Sequence, residues 1–217
     1  MLELKGIAFH PATAEKTILQ EVNLRANLGP PIIIEGCSGS GKTTLIEIIS
    51  GLTTPQKGAI SWNHKNLNSK QRKGLCGVVF QFPERHFLGL TISQELRLGH
   101  KRLGREEQLN VLKKVGLAEV ELRQAPEKLS GGQQRRLAIA VQLLKKPNIL
   151  LLDEPTAGLD WSVRNEILEL LKSLSKEQLI IVVTHEANLF KSLPICSYVL
   201  NNGKIQETTT LESKKNI

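Results

Sequence analysis

The residues best suited to chemistry lie in one short stretch, where glycines alternate with small polar side chains before a lysine and a threonine. The glycines allow the backbone to fold into a concave nest whose N–H groups point at phosphate oxygens. Lys42 can reach the outer phosphates of a nucleotide, and the Thr43 hydroxyl is placed to bind Mg²⁺. The predicted nucleotide-binding residues are Gly36, Cys37, Ser38, Gly39, Ser40, Gly41, Lys42, Thr43 and Thr44.

Two predicted elements hold this loop in place. Residues 31–34 form a short apolar run typical of a buried strand, and residues 44–49 have the apolar spacing of a helix. The N-terminus of that helix would face the anion, where its free N–H groups and its dipole favour negative charge. A glycine- and serine-rich surface turn could match the loop pattern by chance, but a turn would not explain the flanking strand and helix.

A second candidate group lies at residues 148–154, where an apolar run ends in Asp153 and Glu154. The run predicts a buried strand, and successive strand residues point to opposite faces, so the two carboxylates can have separate roles. Asp153 can hold a Mg²⁺ ion, while Glu154 faces the outermost phosphate and orients a water molecule for attack. A solvated acidic pair is the alternative, and the phosphate-binding loop elsewhere in the chain favours the catalytic interpretation.

A third segment, residues 129–136, contains Ser130 followed by two glycines. Ser130 suits the N-cap position of a helix, and Gly131 and Gly132 let backbone N–H groups approach an anion at the helix start. The alternative is an ordinary capped helix that follows a turn. That alternative does not explain why a second helix start suited to anions occurs about ninety residues after the first.

The remaining sequence supplies the elements that must position these groups. Strands alternate with helices, which predicts an α/β fold with a parallel central sheet and sites at the carboxyl ends of its strands. Residues 92–125 contain no proline and carry helical spacing, which predicts a small helical insert. Antiparallel strands are predicted at 2–9 and 18–28, further strands at 58–62, 77–80 and 180–183, helices at 131–145 and 162–174, and a hairpin at 197–207.

Composition limits the class of protein. The 217 residues suffice for one domain with a sizeable core, and no apolar run approaches the roughly 20 residues that span a bilayer. The three cysteines form neither a disulfide framework nor a zinc pattern, and residues 1–5 have no signal-peptide pattern, so a cytoplasmic location is expected. The net charge of +8 comes from scattered basic residues without interleaved aromatics. That scatter disfavours nucleic acid as a partner and leaves a weak preference for an anionic membrane surface.

Together these motifs resemble the ATP-binding-cassette (ABC) ATPases, and the resemblance extends from about residue 2 to residue 207. It implies a P-loop NTPase cassette with a RecA-like parallel-sheet core, an N-terminal antiparallel β subdomain and a helical subdomain at about 84–146. It also implies one ABC ATPase domain over 1–208, followed by a polar tail at 209–217. The matching motifs are residues 36–43, Phe80-Gln81, Leu129 to Gln133, Asp153-Glu154, residues 157–160 and Val183-Thr184-His185.

The family resemblance implies that two such domains close head to tail around two ATP molecules, with Mg²⁺ as a cofactor. Gln81 would then contact Mg²⁺ and the attacking water, and His185 would contact the γ-phosphate and act with Glu154 in hydrolysis. Closure by a second surface would exclude water from the outer phosphate and supply further donors. The residues that cap the partner's nucleotide would be Ser130, Gly131, Gly132 and Gln133, with Asp160 at the seam between the two subunits.

One position departs from the family pattern. These ATPases usually stack an aromatic residue, often tyrosine, on the adenine ring, and the corresponding region here is Phe9-His10-Pro11, without a tyrosine. His10 is the nearest candidate for that contact.

Residues 80–88 are similar to the corresponding segment of energy-coupling-factor and cobalt-type importer ATPases, except that His86 replaces a glutamine. That resemblance implies a subunit that lies on the inner face of the cell membrane, drives a separate integral membrane permease and imports a metal ion or a vitamin. Phe82, Phe87 and Leu88 follow a predicted strand, and an exposed apolar patch there usually marks a partner. We therefore expect them to line a groove for a cytoplasmic helix of the permease. The set of site residues allows a homodimer, and a heterodimer with a paralogue is also compatible.

Soluble, non-transport ABC ATPases that act on nucleic acid or on a macromolecular assembly are the alternative. The chromosome-maintenance and DNA-repair members place a long coiled coil between two of the motifs, whereas about fifty residues separate Gln81 from Ser130 here. The translation-associated members carry two cassettes in one chain, and this sequence shows one. A plain P-loop kinase or GTPase would lack residues 129–133.

Overall fold

The fold alternates strands and helices around two β-sheets. The computed structural model describes residues 1–12, 16–100 and 102–208, so the predicted tail at 209–217 lies outside the described residues. The strands are β1 (Leu2–Phe9), β2 (Leu19–Ala26), β3 (Ile32–Glu35), β4 (Lys57–Trp62), β5 (Lys65–Asn66), β6 (Cys76–Val79), β7 (Ile149–Asp153), β8 (Leu179–Thr184), β9 (Cys196–Asn201) and β10 (Lys204–Thr208). The α-helices are α1 (Lys42–Ser50), α2 (Ser69–Leu75), α3 (Ile92–Arg97), α4 (Arg105–Lys114), α5 (Gly131–Leu143) and α6 (Trp161–Leu174).

The larger sheet has six strands in the order β10-β9-β3-β8-β7-β6. All of its neighbouring strands pair in parallel except β10, which returns along β9 as the predicted antiparallel hairpin. The smaller sheet, in the order β2-β1-β4-β5, is antiparallel throughout. The α/β class, the parallel core and the N-terminal antiparallel strands predicted from the sequence are confirmed.

The central strands are buried on both faces, which explains why β7 and β8 are continuous apolar runs rather than alternating ones. Alternate residues of β8 contribute to two separate cores. Ile180 and Val182 pack in a core with residues of α3, α4, α5 and α6, whereas Ile181 and Val183 pack in a core with α1 and the smaller sheet. The sheet is therefore fixed from both sides, and its strand ends are rigid positions for functional side chains.

The register of the larger sheet brings the carboxyl ends of β3, β7 and β8 together. Glu35 pairs with Thr184, and Asp153 pairs with Val183. Two backbone hydrogen bonds then continue the pairing past the strand ends, from Gly36 N–H to the Thr184 carbonyl at 3.2 Å and from Glu154 N–H to the Val183 carbonyl at 2.9 Å. The predicted phosphate loop, the acidic pair and the segment ending at His185 consequently meet at one edge of the sheet.

Two helical features differ from the sequence-based expectations. The insert predicted at 92–125 contains α3 and α4, and turns occupy residues 115–125. Helix α2 was not predicted, although Asn68 and Gln71 form a reciprocal capping box at its start, which is a recognisable sequence signal.

The predicted apolar patch is correct only in part. Phe82 and Leu88 are exposed, Leu88 at 80%, but Phe87 is half-buried and packs against the buried residues of the helical core. A 3-10 turn at Pro83–His86 separates the two phenylalanines, and packing of the Phe87 ring against the core removes apolar area from water. Leu90, which was not predicted, is also 80% exposed.

Candidate active site

The loop after β3 is held by Lys42, the first residue of α1. Its Nζ donates to the carbonyl oxygens of Gly36 at 2.6 Å and Cys37 at 3.0 Å, and lies 3.8 Å from Oε1 of Glu154. The lysine is buried, so its charge is screened less than it would be in water. Gly41, the N-cap of α1, has a left-handed φ of 101° and provides no side-chain cap, so it does not compete for the first N–H groups of the helix.

Thr43 and Asp153 place two oxygen atoms side by side at this helix start. The Thr43 hydroxyl donates to Oδ2 of Asp153 at 2.6 Å, and burial raises the pKa of the Asp153 carboxyl, an effect that this hydrogen bond partly offsets. Mg²⁺ takes hard oxygen ligands and needs few from the protein when phosphates and waters complete its shell. In the described part of the chain no group of three or more His, Cys, Asp and Glu residues could hold a metal ion. The residues present therefore fit a Mg²⁺ ion that arrives with a nucleotide.

Glu154 lies where the strand ends meet, and both of its carboxylate oxygens have partners. Oε2 accepts a hydrogen bond from the Thr184 hydroxyl at 2.9 Å, and Oε1 lies 2.8 Å from Nδ1 of His185. The backbone of Glu154 has a φ of 48°, in the left-handed region that non-glycine residues adopt at a cost. A buried carboxylate in a fixed orientation can direct a water molecule with little reorganisation.

Two cavities lie beside the loop and share part of its lining, and one of them receives these side chains. One of about 680 Å³ lies against the loop and is lined in part by Ser40 and Thr17. Gly36 lines neither cavity and lies buried beneath the loop, where its carbonyl binds Lys42. The other, of about 630 Å³, is lined by Ile18, Cys37, Ser38, Gly39, Gly41, Lys42, Thr43, Thr44, Gln81, Asp153, Glu154 and His185.

The structure does not bring His10 to these cavities. The His10 N–H donates to the side-chain carbonyl of Gln56 at 2.8 Å, and the His10 carbonyl accepts from the Gln56 amide at 2.6 Å. Ile18 lines both cavities, and Lys16 lines the cavity of about 680 Å³. An adenine contact by His10 stays a prediction. The described residues that follow 13–15, namely Lys16, Thr17 and Ile18, line the cavity beside the loop, whereas His10 does not.

The predicted capping segment forms the start of α5. The Ser130 hydroxyl accepts a hydrogen bond from Gln133 N–H at 3.3 Å, and the Gln133 side-chain oxygen accepts one from Ser130 N–H at 3.0 Å. Gly132 is buried against Val163 of α6, where a Cβ would collide with the valine side chain, whereas Gly131 is exposed. The predicted helix N-terminus at these residues is confirmed.

This segment is separate from the cavities of its own chain. In the described residues, neither 130–133 nor Asp160, the exposed N-cap of α6, lines the two cavities beside the phosphate loop. Asp160 directly precedes Trp161, a helix residue that is 69% exposed. The start of α5 and the start of α6 thus pack together on a surface apart from Lys42 and Glu154.

One residue near the site was missed by sequence reasoning. Arg135 lies on α5 and is buried, and its guanidinium donates to the carbonyl of Glu154 at 3.2 Å and to that of Ala157 at 3.3 Å. An arginine that follows a glycine-containing helix start is expected on a solvated face. No local signal in the sequence shows that it reaches a loop about twenty residues later.

Comparison with known proteins decides the family. The ABC transporter family model matches residues 19–157, a range that includes the phosphate loop, the start of α5 and the acidic pair. The chain belongs to the ABC transporter family. This ABC protein is 35% identical, over 94% of its length, to ABC transporter I family member 11, chloroplastic, of Arabidopsis thaliana, and covers 79% of that protein. It is 36% identical, over 88% of its length, to the energy-coupling factor transporter ATP-binding protein EcfA2 of Acetivibrio thermocellus, of which it covers 72%.

Solved structures agree with this assignment. The ABC protein matches cbiO1 from Clostridium perfringens, part of the ABC transporter complex cbiONQ, with a TM-score of 0.83 and 28% identity, over 94% of this chain and 86% of that one. It matches a dimeric ATP-binding cassette in a post-hydrolysis state, bound to ADP and Pi, with a TM-score of 0.79 and 29% identity, over 96% and 98% of the two chains.

The resemblance to ABC ATPases of the energy-coupling-factor type is confirmed, and the protein is an ATP-binding and ATP-hydrolysing subunit of an ABC transporter. Within the residues that the structure describes, no helix combines the length and the apolar character that crossing a bilayer requires.

Proposed function

We propose that Glu154 is the residue that orients the attacking water when this ABC ATPase hydrolyses ATP. The observation that carries this proposal is the pair of contacts that fix its carboxylate, one from Thr184 and one from His185, beside the buried Lys42. Lys42 would neutralise the outer phosphates, and His185, whose side chain is half-exposed, would reach the γ-phosphate across the cavity. The loop residues 36–44 would bind the phosphates through their backbone N–H groups.

Thr43 and Asp153, with Gln81 from across the cavity, would hold Mg²⁺. When bound, the ion supplies charge neutralisation between the phosphates. The Thr43 hydroxyl and the Asp153 carboxylate already lie side by side at this helix start, so both oxygens would be available to the ion.

The replacement Glu154→Gln tests the catalytic role, because it keeps the size of the side chain and one acceptor oxygen but removes the negative charge. We expect ATP hydrolysis to fall by roughly 10²-fold or more, in the range usual for loss of a general base, while ATP binding remains. Phosphate release and nucleotide binding measure the two steps separately. The matched variant Glu177→Gln alters an exposed carboxylate and should behave as the wild type. Full turnover by Glu154→Gln would exclude the proposed role.

The separation of residues 130–133 from the cavity supports a dimeric mechanism. In this proposal Ser130, Gly131, Gly132 and Gln133 of one subunit cap the nucleotide of the other, and Asp160 lies at the seam. The Ser130 oxygen accepts from Gln133 N–H through a lone pair, which leaves its own O–H proton for a phosphate oxygen. The dimeric cassette with ADP and Pi supports this arrangement. A homodimer and a heterodimer with a paralogous subunit are both compatible with it.

The relatives named as energy-coupling factor ATP-binding proteins support a second part of the proposal, namely docking to an integral membrane permease that imports a metal ion or a vitamin. The subunit would then act peripherally, on the cytoplasmic face of the membrane. Glu95 is buried, and its Oε2 accepts from the N–H groups of Leu88 at 2.8 Å and Gly89 at 2.7 Å. That carboxylate holds a short loop on which Leu88 and Leu90 are exposed, so a fixed apolar surface is available to a permease helix.

The docking surface is tested by the double replacement of Leu88 and Leu90 with serine. Co-purification with the integral membrane subunit from detergent-solubilised membranes should be lost, because the two leucines supply the apolar contact, while ATP hydrolysis in solution is retained. Serine replacements of Leu28 and Leu52 are a matched control, since these leucines are 57% and 52% exposed elsewhere on the protein. Assembly unaffected by the Leu88 and Leu90 replacements would place the permease on another surface. Phe87 is less suitable than in the sequence-based hypothesis because its ring packs against the core.

A further inference from the structure

Arg135 connects the start of α5 to the turn that carries the catalytic carboxylate. Its Nη1 donates to the Glu154 carbonyl at 3.2 Å and its Nη2 donates to the Ala157 carbonyl at 3.3 Å. The planar guanidinium presents two donors at a fixed spacing, so it can hold two carbonyls in one defined arrangement. Residues 154 to 157 are also closed by a hydrogen bond from Ala157 N–H to the Glu154 carbonyl at 3.2 Å. Arg135 therefore clamps the ends of one turn.

The turn needs such a clamp because its first residue is strained. Glu154 has a φ of 48°, a left-handed conformation that is unfavourable for a non-glycine residue and persists only where the surroundings hold it. This conformation lets the carbonyl face Arg135 while the carboxylate reaches Thr184 and His185. A turn released from Arg135 could relax, and the carboxylate would then leave its fixed position.

The surroundings of Arg135 exclude a simple ion-pair role. The residue is 3% exposed, and in the described part of the chain it forms no salt bridge and its Nε has no hydrogen-bond partner. Burial lowers the pKa of the guanidinium, and the carboxylate of Glu84 raises it to a lesser degree. Burying a cation is unfavourable unless hydrogen bonds or opposite charges compensate, and the two backbone carbonyls supply the hydrogen bonds here.

Arg136, the next residue on the same helix, provides a comparison. Its side chain is also largely buried, at 15% exposure, and its Nε is also buried without a partner in the described residues. However, its guanidinium donates to the Gly116 carbonyl at 3.1 Å and pairs with Glu166 at 3.1 Å, so it holds the turn after α4 against α6. Two adjacent arginines, one buried and one largely buried, thus fix two different turns, and one of those turns contains Glu154.

We propose that Arg135 is a positioning residue for hydrolysis, which holds the Glu154–Ala157 turn so that the Glu154 carboxylate keeps its catalytic orientation. The inference rests on the proposed role of Glu154. It also gives α5 a mechanical connection to the active site of its own chain, because Arg135 lies in the second turn of the helix that Ser130 caps and holds the Glu154 carbonyl. The same clamp acts on Ala157, which starts the segment leading to Asp160.

The test compares Arg135→Met, Arg135→Lys and Arg136→Met in the full chain. Arg135→Met should lower kcat for ATP hydrolysis by about 100-fold, the effect expected when a catalytic group is misplaced by about 1 Å, and leave KM and ATP binding nearly unchanged. Arg135→Lys should recover part of kcat, because an ammonium can reach one of the two carbonyls. Arg136→Met should retain kcat even where thermal unfolding shows a comparable loss of stability.

Three outcomes would overturn the proposal: an unchanged kcat in both Arg135 variants, an equal loss of kcat in Arg136→Met, or an increase in KM in place of a loss in kcat. If Arg135→Met does not fold, Arg135→Lys decides, since a native melting temperature with a lowered kcat supports the role and a native kcat refutes it.

The closing measurement combines Arg135→Lys with Glu154→Gln. A residue that acts through Glu154 should cause no further loss once the Glu154 charge is gone, because there is nothing left to position. A further loss would show that Arg135 acts elsewhere. If Glu154→Gln alone turns over ATP fully, the proposed function fails. If Glu154→Gln is inactive while the Arg135 variants keep kcat, only the positioning role fails.

Discussion

Two helix starts in this protein carry glycine-containing segments suited to anions, and they differ in how their backbone is capped. The start of α1 has Gly41 at its N-cap in a left-handed conformation, with no side chain to satisfy the first N–H groups. The start of α5 has Ser130 at its N-cap, and Ser130 and Gln133 satisfy each other's N–H groups in a capping box. The first N–H groups of α1 therefore lack a side-chain cap, whereas at the α5 start the capping box already satisfies the N–H groups of Ser130 and Gln133.

The side chains that surround the two helix starts also differ. Lys42, Asp153, Glu154 and His185 surround the start of α1 within one cavity. The start of α5 is exposed at Ser130 and Gly131 and is packed from behind on α6. A preformed, exposed helix tip without catalytic side chains of its own suits a role in completing a site that belongs to another subunit. In the proposed dimer, the difference between the two starts means that half of each active site is a rigid surface feature of the other subunit.

The strongest test of this comparison mixes two inactive variants. Lys42→Met removes the charge and the clamp on the loop carbonyls, and Ser130→Ala removes a donor from the helix tip, so each alone should lose roughly 10²-fold in hydrolysis or more. If the α5 start acts on the partner's nucleotide, a mixed dimer contains one site with an intact loop and an intact tip. Phosphate release should then reappear on mixing.

The controls for the mixed-dimer experiment use variants of the same two residues, Lys42 and Ser130. The double variant carrying Lys42→Met and Ser130→Ala in one chain, mixed with either single variant, has no intact composite site and should stay inactive. Activity of the wild type as a strict monomer, or no recovery from the mixture when dimers are shown to form, would contradict a shared site.

An intermediate effect is expected where the two glycines of the α5 start are compared. Gly132→Ala places a methyl group against the Val163 side chain, so the α5 start must move away from α6. We expect a loss of about 1–3 kcal/mol in the free energy of unfolding, measured by denaturant titration, together with reduced hydrolysis. Gly131→Ala meets only an ordinary contact, 3.7 Å from Leu159 Cδ2, and should unfold like the wild type. Equal stability losses in the two variants would show that the α6 contact does not set the tip position.

The comparison also shows what the sequence could and could not predict. Lys42 follows a glycine-containing loop, and Asp153 and Glu154 come at the end of an apolar run, so the neighbouring sequence marks all three residues. Their positions at the ends of strands and helices could therefore be predicted. Arg135 contacts Glu154 and Ala157 only because α5 packs against β6, the neighbour of β7 in the sheet, and that packing is set by the whole core rather than by neighbouring residues. Phe87 was predicted to be exposed for the same reason, since a loop residue can be buried by helices that are distant in sequence.

The smallest expected effect concerns reactivity rather than activity, and it tests whether the α1 loop is the ligand-facing helix start. Cys37 lies exposed in that loop and Cys196 is exposed at the start of β9, whereas Cys76 is buried. Burial raises the pKa of the Cys76 thiol to about 12, so its reactive thiolate is scarce near pH 8 and Cys76 should label only on unfolding.

In the folded protein two thiols should therefore react quickly with a disulfide reagent, and Cys196 provides the internal reference. Addition of ATP should slow labelling at Cys37 several-fold and leave Cys196 unchanged, because phosphates would occupy the nest whose backbone Cys37 forms, whereas Cys196 pairs with Ile32 at the opposite end of β3. Mass spectrometry of the labelled peptides distinguishes the sites. Equal rates at Cys37 with and without ATP, under conditions where ATP binding is independently measured, would mean that the nucleotide binds without covering this loop, and the contrast between the two helix starts would lose its basis.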